Sequence, residues 1–225
     1  MTLKTLQLDM KKFTKVLITM FAAVALLVAS AGANPAYAKT VNGCKIKAHT
    51  KCEGDNLKKA NLKKANLKHA DLRGADLSDA DLRGADLRGA HLGNANLSGA
   101  NLKGAKLNNA NLMGVDFGPP GNIAKFGGAD FTHAILTSVD LSGLNLSGVK
   151  FDHASLDHTN LQGSNLTGAS ITYATLISSN LTNANLTSAN LNQTAMSSAN
   201  LEVGVTWTNA TCPDNTSATG SPATC

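Results

Sequence analysis

Six histidines, four cysteines and fifteen carboxylates carry the chemistry from which this 225-residue chain could build a catalytic or metal centre. His133 and His153 stand twenty residues apart, with His158 five further on, and a transition-metal site would need three or more such ligands in one place. Paired acids such as Asp76 and Asp81 have the chemistry of a general acid and base. They also fall at the Asn/Asp position of a pattern that recurs every five residues, which makes them structural first. The chain has no phosphate-cradling GxxxxGK[ST] or GxGxxG loop, no HExxH helix and no GxSxG elbow. The sequence therefore nominates no catalytic, cofactor-binding or metal-ligating residue and reads as non-enzymatic.

The elements that must position these side chains are unusual. With 4% aromatic residues and 20 glycines, the composition is thin material for an ordinary core. From Leu57 to Leu112 a leucine recurs at every fifth position, with Phe117 as the thirteenth centre. A small residue stands two positions before each centre (Ala60, Ala65, Ala70 and onward), with mostly Asn or Asp between. A period of five matches neither the 3.6 of a helix nor the 2 of a half-buried strand, so the chain must coil around its leucines. The register breaks at Gly118-Pro119-Pro120-Gly121 and resumes at Phe126, and sixteen further centres run to Leu201.

Units such as Ala80 to Gly84 (ADLRG) and Ala95 to Gly99 (ANLSG) resemble those of the pentapeptide-repeat family, and the resemblance covers about 150 residues. It implies an all-β fold, a right-handed quadrilateral β-helix in which each unit forms one side and four units one coil. Twenty-nine units then give about seven coils, a rod roughly 34 Å long at ~4.8 Å per coil. On such a rod Lys63, Arg83 and Lys103 share a column, as do Lys68 and Arg88, and His133, His153, Tyr173 and Gln193. Asn145, Asn165 and Asn185 form an amide ladder, and so do Asn160, Asn180 and Asn200.

Residues 1–38 read as a signal peptide: Lys11, Lys12 and Lys15 precede the apolar run from Val16 to Val28, and Ala36-Tyr37-Ala38 offers a cleavage site. Translation from Met10 would give the compact opening MKKFTK. Beyond it we expect an N-terminal cap at 39–54, a charged half of the β-helix at 55–117, a loop at 118–123, an Asn/Ser/Thr-rich half at 124–203 and a C-terminal cap at 204–225. Disulfide partners need Cα atoms within about 7 Å, and Cys44/Cys52 and Cys212/Cys225 flank opposite ends of the implied rod. Pairing is expected to be local, Cys44 with Cys52 and Cys212 with Cys225, each bond pinning a cap. Trp207 is expected to plug the axis at the C-terminal end.

The formal charge of +5 includes +3 from Lys4, Lys11, Lys12 and Lys15 against Asp9, leaving +2 for residues 39–225. Residues 39–68 hold nine Lys against Glu53 and Asp55, a net +7, and the remainder is −5. We expect an exported module in a periplasmic, extracellular or equivalent lumenal compartment, with no cofactor and no membrane span after signal cleavage, acting as a monomer or end-to-end dimer. Its expected partner is a protein or an acidic envelope polymer rather than nucleic acid, met by Lys58, Lys59, Lys63, Lys64, Lys68, Arg83 and Lys103. The family resemblance supplies a rival, DNA mimicry directed at type II topoisomerases, which the charge and the export signal oppose. Weaker alternatives are an enzyme acting on envelope polymers and an ice-binding surface built on the vertical pair Thr167 and Thr187.

Overall fold

The computed structural model describes residues 39–119, 122, 124–199, 201, 203–220 and 223–224; the expected signal peptide and Cys225 lie outside them. The polar residue before each centre pairs in parallel with its equivalent twenty residues on, as in Lys51 with Asp71, Asn61 with Asp81 and Asn160 with Asn180. Four units therefore make one coil of a β-helical solenoid. The centre's N–H donates to the next coil (Leu57 N to Asp76 O, 2.7 Å), and that coil donates back (Asp81 N to Ala60 O, 2.9 Å). We name the sides by their centres: Leu57 and Leu77 begin the first face, Leu62 and Leu82 the second, Leu67 and Leu87 the third, Cys52 and Leu72 the fourth.

The five-residue unit follows from its chemistry. Leu fills the axis, with Leu57, Leu77 and Leu97 at 0% exposure, and Ala75 and Ala95 close the space between centres. The Asn or Asp side chain accepts from the N–H two residues on (Lys58 N to Asn56 Oδ1, 3.0 Å; Thr167 N to Asn165 Oδ1, 3.1 Å), an Asx turn that starts the corner. The corner closes with Ala60 N donating to Leu57 O at 3.0 Å, and its third residue takes a left-handed conformation, φ 56° at Lys59, as a type II turn requires.

The break after Phe117 lengthens one coil by four residues, so that Asn101 pairs with Lys125 and Asn111 with Ile135. Larger side chains fill the core beside the break. Phe117, Phe126, Phe131 and Phe151 pack ring to ring at 5.0, 5.9 and 5.2 Å, and Val139, Leu144 and Val149 replace the inward alanines. Among the described residues no bridge joins Asp116 to Asp140 or Lys125 to Asn145. A cleft opens there between Phe117, Pro119, Asp140 and Leu144.

The ladder also runs into the segments expected to be caps. Cys52 occupies the centre position beneath Leu72, and Trp207 and Cys212 the centres above Leu186 and Leu191, one extra residue being absorbed between Ser197 and Val203. Trp207, 4% exposed, thus sits in the core column near the C-terminal end. At the N-terminal end strands β1 (Lys39–Val41) and β2 (Cys44–Ile46) form a hairpin turning at Asn42-Gly43, with φ 46° and 91°, the type I′ signature. The hairpin is tied down by the Cys44–Cys52 disulfide, Cα–Cα 5.4 Å, and by Asn42 Nδ2 donating to Asn56 O. At the other end β3 (Thr219–Gly220) pairs with β4 (Ala223–Thr224), and Cys212 is disulfide-bonded. No helix among the described residues is long and apolar enough to cross a membrane.

Candidate interaction faces

The four faces differ in charge because each repeat column stacks like on like. The second face carries Lys63, Arg83, Lys103 and Lys125 against Asp81, with Lys59 and Lys64 on its two edges. The first face carries Asp76, Asp116 and Asp140 against Lys58. Of the seven basic residues expected from sequence, Lys63, Arg83 and Lys103 are brought together in one column. Lys58 lies on the first face, Lys59 and Lys64 at corners, and Lys68 on the third face.

Arginines and lysines behave differently. In each Asp-Leu-Arg unit the guanidinium folds back over the buried leucine onto the Asp two residues earlier: Arg73 on Asp71, Arg83 on Asp81, Arg88 on Asp86. The side-chain bond from Arg83 holds the Asp81 carboxyl below its ordinary range, against the desolvation that pushes it up. Arg73 also reaches Glu53 at 3.2 Å, and Lys68 reaches Asp86 at 3.5 Å. Among the described residues Lys58, Lys59, Lys63, Lys64, Lys103 and Lys125 make no ion pair. Arg83 is thus largely neutralised within its own unit, and the lysines around it hold the unpaired charge. Lys125, absent from the sequence-derived set, joins the second face because four extra residues return the chain to register just before Phe126.

The histidines form columns rather than a cluster. His133 stacks on His153 at 4.7 Å and His153 on Tyr173 at 5.0 Å, and His158 lies at the next corner. Among the described residues Cys44, Cys52 and Asp55 come close enough together to hold an ion, and both sulfurs there are in the disulfide. On the upper second face Thr208 extends the Thr167–Thr187 column, brought into line by the extra residue below it. The Thr167 hydroxyl is engaged with Asn165 Oδ1 at 2.6 Å.

The family model for pentapeptide repeats matches residues 48–79, 80–118, 124–152, 145–183 and 164–202. No curated protein matches the chain. Similar solved structures include HetL, a pentapeptide repeat protein involved in heterocyst differentiation regulation in the cyanobacterium Nostoc sp., 33% identical over 74% of this chain and 78% of that one, TM-score 0.31. A pentapeptide repeat protein of the Arabidopsis thaliana thylakoid lumen is 29% identical over 54% of this chain and 68% of that one, TM-score 0.33. QnrB1, a plasmid-mediated fluoroquinolone resistance protein, is 18% identical over 69% and 88%, TM-score 0.32. With the family model spanning most of the ladder from Ala48 to Glu202, the chain belongs to the pentapeptide-repeat family, whose fold is a right-handed β-helical solenoid.

Proposed function

We propose that the chain is an exported, non-enzymatic interaction module of about seven coils, capped at both ends, whose second face docks an acidic partner, a protein or an anionic envelope polymer. The observation that carries this reading is the unpaired lysine set on and beside that face, Lys59, Lys63, Lys64, Lys103 and Lys125, next to an arginine already neutralised by its own aspartate. Duplex mimicry calls for the opposite sign of charge. The lysines preceding the apolar run and the Ala36-Tyr37-Ala38 site support export.

The test is affinity capture from the exporting compartment with the mature protein, comparing the parent with a variant carrying Lys58, Lys59, Lys63 and Lys64 as Glu. Partners lost in the variant, and weakened by salt, support the reading. The same partners captured by both proteins would end it.

A further inference from the structure

The second face is uniform in the sign of its free charge. Over eight rows from Asn61 to Thr206, ~34 Å of the rod, it holds a single acid, Asp81, which Arg83 already forks. Acids free of such forks stand on each of the other faces: Asp76 on the first, Asp130 on the third and Asp157 on the fourth. The Lys103 stem runs up the rod over Gly127, its Cγ, Cδ and Cε within 3.9 Å of where a Cβ would stand there, which brings its charge to the row of Lys125. Above that row the same two columns turn neutral, with Asn145, Asn165 and Asn185 beside Ser147, Thr187 and Thr208. Among the described residues the hydroxyls of Ser147, Thr187 and Thr208 make no hydrogen bond, whereas that of Thr167 is held by Asn165.

Two further properties narrow the occupant. The exposed large apolar side chains of the described residues, Met113, Ile135, Tyr173, Ile177 and Val203, all lie off this face. Protein interfaces are organised around buried aromatic and apolar anchors, and the second face offers none. Its edge with the third face is glycine at 104, 128, 148 and 168, and its edge with the first is glycine at 143 and 163. At all six, open space stands where a side chain would project, while the equivalent turns between the third and fourth faces carry His133, His153 and Tyr173. The rims of the upper second face are therefore bare, and a chain longer than the face can lie on it and run past its edges.

We infer that the occupant of the second face is a linear acidic polysaccharide, a polymer whose sugars carry both carboxylates and hydroxyls, laid along the rod axis. This rests on the reading of that face as the docking face and names the chemistry of its partner. Carboxylates meet Lys63, Lys103 and Lys125, whose ammonium groups are unpaired point charges without the fixed fork of a guanidinium. Sugar hydroxyls, each a donor and an acceptor, meet the hydroxyls of Ser147, Thr187 and Thr208 and the amides beside them. Rows ~4.8 Å apart repeat these groups along one line, so a repeating ligand binds in several registers and gains affinity by repetition rather than by area. An acidic protein needs only the lysines; the continuation of the face as hydroxyls and amides is what selects a carbohydrate.

The test titrates the whole chain by calorimetry, at one salt concentration, with polygalacturonate, with poly-L-glutamate bearing the same number of carboxylates, and with dextran. Polygalacturonate is expected to bind at least tenfold more tightly than polyglutamate, and dextran not to bind. The variant Ser147→Val, Thr187→Val, Thr208→Val should lose at least threefold for polygalacturonate and nothing for polyglutamate, while melting like the parent, since none of the three is buried. The variant Lys63→Glu, Lys103→Glu, Lys125→Glu should lose at least tenfold for both polyanions. Equal affinity of the parent for the two polyanions, or a valine variant that binds polygalacturonate like the parent, overturns the polysaccharide and leaves an acidic protein as the partner of the face. Binding of neither polyanion by the parent, or undiminished binding of both by the glutamate variant, overturns the docking reading itself and the inference with it.

Discussion

The Arg83 guanidinium lies across the Asp81 carboxylate, Nε to Oδ1 at 2.7 Å and Nη2 to Oδ2 at 2.5 Å, and the same fork recurs at Arg73 with Asp71 and Arg88 with Asp86. In all three the arginine's side-chain bond is the largest influence, and it leaves the carboxyl more acidic than usual despite desolvation. A carboxyl whose folded pKa is depressed stabilises the fold above its unfolded value and loses that contribution as pH falls through the folded value. The forks are exposed and screened, so each contributes little. The melting temperature should be level down to about pH 5 and fall below about pH 4. The triple variant Arg73→Gln, Arg83→Gln, Arg88→Gln should show a shallower fall. An identical acid slope in the variant would mean that the forks carry no folding energy.

Two glycines separate backbone strain from steric clash. Gly148 has φ 64° and open space where a Cβ would stand, so Gly148→Ala should lose only the conformational term, about 1–2 kcal/mol. Gly118, at φ 94°, would put a methyl against the Asn122 carbonyl and Ser98, at the neck of the loop. Gly118→Ala should therefore be the more destabilising in urea titration, and an equal loss at both sites would show that the loop simply moves aside.

The five-residue period made the core legible, because a leucine every fifth residue fits nothing but a coil and Leu57 through Leu112 are buried as that pattern requires. Where the ladder ends was harder to read, since Cys52 and Cys212 look like disulfide residues and only the bridges reveal them as repeat centres. The Asn42-Gly43 hairpin carried a readable turn signal that the repeat overshadowed. The charged surface was half legible. The column of Lys63, Arg83 and Lys103 follows from the twenty-residue coil, but which cations stay unpaired depends on side-chain geometry, and Lys125 and Thr208 reach their columns only through extra residues whose effect on register a sequence does not display.

The centres should not be equivalent along the axis. Leu97 is 0% exposed between complete coils, and its truncation to Ala should cost about 2–5 kcal/mol. Met196 is only partly buried, on the last row of the fourth face. Met196→Ala should shift the urea midpoint by less than half as much, and comparable losses would mean that the terminal coil is as tightly packed as the middle.

Inside the second half, hydroxyls replace the small inward alanines, and their hydrogen bonds set opposite expectations for the same substitution. Ser179 Oγ donates to Leu156 O at 2.7 Å, as the Thr159 hydroxyl below it does, so Ser179→Ala removes a satisfied bond and should cost roughly 0.5–1.5 kcal/mol. Ser164 Oγ is equally buried, 1% exposed, in the column between Leu144 and Ala184, and has no hydrogen-bond partner among the described residues. Replacing it with alanine restores the family's usual inward residue and removes a desolvated hydroxyl, so Ser164→Ala should raise stability by about 1 kcal/mol. Chemical denaturation of the two single variants decides the matter: opposite signs follow from the geometry, whereas a loss in Ser164→Ala would show that its hydroxyl is satisfied in solution.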